Sequence, residues 1–589
     1  MIEPLYFGDS AAPLFGVLNR AEASSAVDRG VVICAPLGYE NVVYYRQLGI
    51  LARRLSVAGR STLRFDWPGS GDSAGDDTQP RLVAAYLESV SRAIEVLRAA
   101  TGLNHIDLVG LRIGATLAAS AVAAGSEAAD LVLWDPFLTG RDYIRAMRTF
   151  DRFSRKPTGL SDDSQAEGQP ASGFVIAPAT VRDLERLDLT KIEYGAPRRV
   201  LVAGRPAQPD EPLLKRFRGL GHDVSSAVFE ELREVALGWA ERPVPTDAFA
   251  QIESWLTPGR PSGRVGLGWT PQRIIELPIE GVAVREEAVV LQDGSTMLGV
   301  VTTPAELSFD DSWIVFVPNR YARRVGPNRL YTEWARDWAA AGVASLRIDV
   351  NGTGDAGGPD GETDRDMYRP HAVSDVLRSV SFLREQFDAR RFAVMGLCSG
   401  GYVGFHAALK DSSIEAVILL NPQMLLWTEQ ETPLTRAGIL CRAALRPSSW
   451  KRLLTTPKRR VRLAAMLPEV GEAVVSHVRW RFDRLSRRSR EGKLSVRDWI
   501  VAAIDRLEAR ECRVLFVVSE GDAGRDYLTR HLGPSLPGLA ERPNVSLETV
   551  PGADHTFRHA GRQAALRDLL EQHLDASGFA VRARSRERL

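Results

Sequence analysis

Residues 392–404, Phe392-Ala-Val-Met-Gly-Leu-Cys-Ser-Gly-Gly-Tyr-Val-Gly404, run from an apolar stretch of strand length into a cluster of small residues around Cys398. The pattern predicts a buried strand, a tight turn and the start of a helix. Where a reactive residue sits at the apex of such a turn, the positions two before and two after must be small, because larger side chains collide where strand meets helix. Gly396 and Gly400 fill those positions. A cysteine at the apex suggests covalent acyl chemistry through a thiolate, given a histidine and an acid downstream; the bland alternative is a structural turn before a buried cysteine.

The chain of 589 residues is too long for one ordinary core, which predicts two domains. Its 75 Lys+Arg and 74 Asp+Glu leave a net charge of +1, so no whole-chain field favours nucleic acid or an anionic membrane. Cys34, Cys398, Cys441 and Cys512 are widely spaced without a Cys-x-x-Cys pair, against a zinc site or a disulfide framework and in keeping with a reducing cytoplasm. The start of the chain lacks a basic and then apolar signal pattern, and no run approaches the roughly 18 apolar residues of a membrane span. The expectation is a soluble cytoplasmic protein with no metal and no cofactor.

The chain also repeats itself. Residues 46–73 recur in altered form at 329–356: an amphipathic helix closed by Gly59 or Gly342, a short apolar strand, and a turn Asp-x-x-Gly-x-Gly-Asp. A strand ending in proline precedes each copy, Val31-Val-Ile-Cys-Ala-Pro36 and Trp313-Ile-Val-Phe-Val-Pro318, and a strand, turn and helix follow at Ile106–Ala124 and Phe392–Leu409. Strands alternating with helices at this spacing imply parallel sheets with helices on both faces. The Gly/Pro/Ser-rich stretch after Leu256 marks the boundary, and a hairpin turned at Asp293-Gly294 opens the second copy. The expected domains are 1–257, a linker 258–283, and 284–577 with an insertion at 423–510, followed by a basic tail 578–589.

This arrangement resembles the α/β-hydrolase superfamily, particularly bacterial tandem hydrolases related to the serine aminopeptidase group. The resemblance implies an α/β fold of two tandem domains, each a mostly parallel sheet with helices on both faces, the second with a long helical lid. It also sets the order nucleophile, acid, base along the chain. The strand Arg513-Val-Leu-Phe-Val-Val-Ser runs into Glu520-Gly-Asp522, and the strand from Asn544 runs into Pro551-Gly-Ala-Asp-His555-Thr-Phe, which looks like the superfamily's histidine loop. His555 would take the proton of Cys398 while Asp522 fixes the imidazole tautomer. Glu520 is the second choice of acid and Ser399 the second choice of nucleophile, although Ser399 leaves the glycine spacing wrong. The backbone N–H of Ser399 and one from Asn319 or Arg320 would form an oxyanion hole. Arg323, Arg324 and Arg329, in the arginine-rich loop after Pro318, are candidates for holding an anionic part of a substrate, or are simply solvated.

The first copy keeps the glycines at Gly110 and Gly114 but places Arg112 at the apex. Arginine stays protonated and cannot attack a carbonyl. Asp210 is at best a displaced acid, His222 precedes the strand it should follow, and this half reads as a pseudo-hydrolase. Arg112 could be structural or could pair a ligand's carboxylate. The insertion of the second copy holds fifteen Arg+Lys and four Asp+Glu over residues 431–490. It reads either as a solvated helical surface or as a face for an acidic carrier protein, an anionic polysaccharide or a membrane surface, with too few aromatics for nucleic acid. The resulting expectation is an esterase or thioesterase working through an acyl-Cys398 intermediate on a small-molecule or carrier-bound acyl substrate. An acyltransferase passing the group to an alcohol, amine or thiol is the alternative, and a catalytically silent binding or scaffold protein the third reading. A cysteine apex also resembles dienelactone hydrolases and polyhydroxyalkanoate synthases, but duplication of the whole chain argues against the synthase architecture.

Overall fold

The computed structural model describes residues 2–154, 168–195, 198–205, 211–229, 244–256, 259–262, 268–293, 295–306, 311–356, 366–368, 370–427, 495–533, 536, 539, 541–579 and 581. In the first half the chain forms β1 (Ile2–Asp9), β2 (Ala12–Asn19), β3 (Arg29–Cys34), α1 (Gly38–Val57), β4 (Thr62–Phe65), α2 (Leu82–Thr101), β5 (His105–Leu111), α3 (Ile113–Ala123) and β6 (Leu131–Trp134). It continues through α4 (Gly140–Ser154), β7 (Gln169–Ala171), β8 (Phe174–Ile176), α5 (Pro178–Leu184), β9 (Arg199–Gly204), α6 (Glu211–Gly219), β10 (Asp223–Val228) and α7 (Thr246–Trp255).

The second half forms β11 (Ile274–Ile279), β12 (Val282–Asp293), β13 (Ser295–Pro304), β14 (Ser312–Val317), α8 (Leu330–Ala340), β15 (Ala344–Asp349), α9 (Pro370–Phe387), β16 (Arg391–Leu397), α10 (Ser399–Ala408) and β17 (Ile414–Leu420). After the insertion come α11 (Val496–Glu508), β18 (Arg513–Ser519), α12 (Ala523–Leu532), β19 (Val545–Val550) and α13 (Ala560–Ala576).

Two large sheets result, in the orders β1-β2-β4-β3-β5-β6-β9-β10 and β11-β12-β13-β15-β14-β16-β17-β18-β19. Apart from the additional edge strand β11, the two orders match strand for strand. In each sheet an antiparallel hairpin leads into a parallel set, so β2 pairs β4 and β13 pairs β15 antiparallel, while every later pairing is parallel. Strands such as Val31–Cys34 and Trp313–Val317 are buried throughout, as expected of a parallel sheet covered on both faces. On the first sheet, α2 and α3 pack one face and α1 with α7 the other. On the second, α8 and α13 pack one face over Phe316, Met395 and Val517.

The stretch 258–283, expected to be a linker, in fact contains β11 and the start of β12. Its alternation Ile274-Ile-Glu-Leu-Pro-Ile is that of a half-buried edge strand, and Pro278 is tolerated because the strand lies at the edge. Ile275 and Leu277 join Tyr6, Phe15, Leu298 and Val300 in an apolar cluster that unites the two sheets' hairpins. Of the described residues, 424–427, 495–506, 527–533 and 536 belong to a second compact unit. Residues 428–494, with the basic runs of the expected lid, lie outside the described residues, as do most of the expected basic tail and Asp210.

The two Asp-x-x-Gly-x-Gly-Asp turns meet in a buried charge cluster. Each turn closes on itself: Asp66 Oδ2 accepts the Asp72 N–H at 2.9 Å and Asp349 Oδ2 accepts that of Asp355 at 3.0 Å. Gly71, at φ 56°, is required here, because a Cβ would stand 2.1 Å from Asp66 Oδ2. The closing aspartate of each turn then pairs with the strand arginine of the other repeat, Arg64 with Asp355 and Arg347 with Asp72. Arg324, fully buried, reaches Asp349 at 2.6 Å and both Asp355 and Asp72 at 2.8 Å. Burial would raise the Asp72 and Asp355 carboxyls, but Arg324 with Arg347 or Arg64 holds both below the usual carboxylate range. Replacing Arg324 by Met leaves Asp349 without a cation and takes one from each of Asp72 and Asp355; we expect a loss of about 3–5 kcal/mol of unfolding free energy, read as a lower urea midpoint. An unchanged midpoint would refute the cluster's role.

Candidate active site

The residue at the end of β16 has nowhere to go but a sharp turn, because β16 is covered on both faces and α10 starts immediately after it. Cys398 adopts φ 56° and ψ −115°, a strained conformation for any residue with a Cβ. Its N–H donates to Leu420 O at 2.7 Å, and the preceding Leu397 N–H donates to the Tyr331 hydroxyl at 3.0 Å, so both sides of the apex are pinned. A Cβ on Gly396 would lie 2.2 Å from the Gly400 carbonyl carbon, and one on Gly400 would lie 2.5 Å from Val317 O. The small residues are therefore demanded by the close crossing of β14, β16 and α10.

Parallel pairing of β16, β17 and β18 brings the strand ends to one side of the sheet. Asp522 follows β18, His555 lies on the loop after β19, and His555 Nδ1 is 2.7 Å from Asp522 Oδ2. Asp522 also accepts the Gly524 N–H at 2.8 Å, which fixes its carboxylate. Burial disfavours the imidazolium, but negative charge at Cys398 and the hydrogen bond to Asp522 outweigh it and raise His555 to about 10. Glu520 instead accepts the Gly552 N–H at 3.1 Å. Ser399 is fully buried and its Oγ accepts the Arg320 N–H at 3.1 Å, so the hydroxyl serves the loop and not the substrate side.

That bond bears on the two candidates for a second oxyanion donor. Arg320 N–H is committed to Ser399, whereas Asn319 uses its side chain to accept the N–H groups of Tyr321 and Ala322 at 2.9 and 2.7 Å. The Asn319 backbone N–H is the better candidate beside that of Ser399. Arg323, Arg324 and Arg329 are corrections to the sequence reading. Arg323 forms a two-pronged pair with Asp66 at 2.7 and 3.0 Å, Arg324 sits in the charge cluster, and Arg329 donates to Gly71 O and Ser73 O. They bind the first repeat, because the loop after Pro318 runs along it.

Sequence reasoning missed Tyr368 and Asn421. Tyr368 stands beside Cys398, and burial together with charge at Cys398 pushes its hydroxyl well above the ordinary value, so it keeps its proton. Its short turn, Asp366–Tyr368, follows a Gly/Asp-rich stretch with no spacing rule relative to the apex; only the turn's contact with Tyr402 on α10, through ring packing at 5.0 Å, brings it there. Asn421, just past β17, donates to His555 O and Ser519 Oγ at 2.9 Å each and so ties the histidine loop to the strand ends.

The first repeat has the same backbone with other contents. Arg112 adopts φ 58° and ψ −128°. Its guanidinium is held by Glu40 at 2.9 Å and Asp135 at 2.8 Å and lies over the Phe137 ring, while Arg205 reaches Asp135 at 2.6 Å. Internal carboxylates thus take the place of the ligand carboxylate considered for Arg112. His222 accepts the Arg198 N–H and packs against Tyr194 and Phe217, away from this cluster. Among the described residues no group of His, Cys, Asp and Glu could hold a metal ion, and no helix is long and apolar enough to cross a membrane.

Because charge at Cys398 and Asp522 raises the imidazole, its protonated form persists from acid pH up to about pH 10 and is lost above it. In Asp522→Asn the loss should begin about 1–3 pH units lower. Proton titration of the His555 ring by NMR in both proteins checks this, and coincident curves would count against the pair. Tyr368→Phe should slow alkylation of Cys398 by iodoacetamide roughly tenfold at neutral pH, since the hydroxyl dipole beside the sulfur is lost.

Residues 314–527 match the family model described as serine aminopeptidase, S33. Among solved structures the chain is similar to an esterase from Pyrococcus furiosus, at 12% identity over 49% of this chain and 90% of that one, with a TM-score of 0.31. It is also similar to a dienelactone hydrolase from Anabaena variabilis, at 14% identity over 50% and 98% with a TM-score of 0.28, and to a proline iminopeptidase-related protein from Thermus thermophilus, at 16% over 50% and 98% with a TM-score of 0.28. No curated protein matches the chain. Together with the strand order, the family match supports the α/β-hydrolase superfamily over the second repeat.

Proposed function

We propose that the second repeat hydrolyses an ester or thioester through an acyl-cysteine intermediate at Cys398. The observation that carries the reading is the joint placement of three groups from separate strand ends: His555 is hydrogen-bonded through Nδ1 to Asp522, and Cys398 lies close enough for its charge to raise the imidazole. A structural cysteine has no need of such a partner.

The chemistry runs as follows. In the resting pair the proton of Cys398 already lies on His555, and the sulfur attacks the acyl carbon, forming a C–S bond while the carbonyl electron pair moves onto oxygen. The backbone N–H groups of Ser399 and Asn319 are the donors for that oxyanion, the first at the N-terminus of α10. The electron pair returns, the bond to the leaving alcohol or thiol breaks, and His555 delivers its proton to that group. Water, deprotonated by His555, then attacks the thioester; the C–S bond breaks and the acid leaves. Tyr368, its hydroxyl beside the sulfur, supports the thiolate before attack and as a leaving group. The elevated imidazole suits the first half of this cycle, in which a proton must be delivered. The first repeat has no part in the chemistry, since Arg112 can neither lose a proton nor reach past its carboxylates.

Turnover of 4-nitrophenyl butyrate and of a short acyl thioester should fall about a thousandfold or more in Cys398→Ala, measured by product release with intact-protein mass spectrometry alongside. Equal turnover by the variant would sink the proposal. A wild-type protein that holds the acyl mass shift until an alcohol, amine or thiol is supplied would instead establish transfer to an acceptor.

A further inference from the structure

A cavity of about 500 Å³ lies between α1, the first repeat's own insertion (α4 to α5) and the loop from Arg320 to Gly326 of the second repeat. It is bordered by Leu37 and Gly38, which follow β3 where Asn319 and Arg320 follow β14. The cavity thus occupies the substrate side of the repeat whose apex residue is Arg112. Its size is within the usual span of small-molecule sites.

The walls are of two kinds. Ile50, Leu82, Tyr143, Met147 and Phe174 make an apolar and aromatic body. Cations gather at the rest of the wall: Arg46, Arg320, Arg323 and Arg329. Arg323 is neutralised by Asp66, but Arg329 donates only to the carbonyls of Gly71 and Ser73, with the Glu333 carboxylate 3.9 Å away, and Arg46 has no ion pair among the described residues. Among the described residues the only acidic one in the lining is Asp77, whose Oδ2 is occupied by the Val175 N–H. An apolar cavity with an excess of guanidinium suits an apolar body ending in an anion. Neither Cys398, His555, Tyr368 nor Tyr402 borders it.

We infer that this cavity is a second ligand site, taking an amphipathic anion such as a medium-chain carboxylate or alkyl phosphate, which it binds without cleaving. The site is independent of the hydrolase reading, because it needs nothing from Cys398. A ligand held there would touch Arg320 and Tyr321, the residues whose backbone adjoins Ser399, so occupancy has a direct path to the neighbourhood of the apex cysteine.

Isothermal titration of the full chain with dodecanoate, dodecyl phosphate and dodecanol tests it. The expected result is saturable one-to-one binding of at least one of the two anions, with dodecanol at least about tenfold weaker. Arg46→Gln, at a half-buried position, should weaken the anion about tenfold, Met147→Trp should abolish binding by filling the cavity, and Cys398→Ala should bind as the wild type does. A preference for dodecyl phosphate over dodecanoate supports the site and names its headgroup. Absence of saturable binding by either anion, binding that Arg46→Gln leaves unchanged, or binding lost when Cys398 is alkylated would overturn the inference. Thermal melts of both variants, matched to the wild type, exclude a misfolded cavity as the cause of lost binding.

Discussion

The reciprocal pairing of Arg64 with Asp355 and of Arg347 with Asp72 is the constraint on which the rest of the molecule depends. Buried ion pairs gain little over well-packed apolar residues, because desolvation consumes most of their attraction. Their effect lies in what they forbid. A slip of either sheet by one residue would leave buried carboxylates facing nothing, so the turns have one register against each other. The same register lays the loop after Pro318 along the first repeat through Arg323 and Arg329, and that loop's other end reaches Ser399 through Arg320. The backbone around Cys398 is in this way braced by the first repeat.

The two apex turns separate backbone from function. Both hold a residue with a Cβ at a strained angle, and both keep small neighbours. In the second, the strained residue faces a histidine fixed by an acid; in the first, it faces Glu40 and Asp135 and becomes the centre of a charge cluster. Position 421 shows the same divergence. Asn421 knits the strand ends beneath His555, while Asp135, at the equivalent point past β6, supplies charge to Arg112 and Arg205.

The alternation of apolar strands with amphipathic helices, and the recurrence of helix, strand and turn, made the paired sheets legible from sequence alone, because both are periodic signals local to the chain. The apex glycines were legible for the same reason. What escaped was set by distance. Arg323 and Arg324 look like surface cations in a loop, and only the meeting of two turns far apart in sequence shows that they are buried counter-ions. Tyr368 is invisible without the packing of its turn on α10. The strand β11 was hidden by the Gly/Pro/Ser-rich stretch before it and by Pro278, a residue that argues against strand everywhere except at an edge.

The contact pattern at the turns, in which the arginine of one repeat meets the aspartate of the other and the reverse, is that of a two-fold dimer of identical subunits. Joining the halves in one chain keeps that geometry while lifting its symmetry. In a homodimer, a change from cysteine to arginine at the apex would alter every apex at once. In this chain it alters one, and leaves that half free to diverge while the two halves stay at a fixed ratio of one to one.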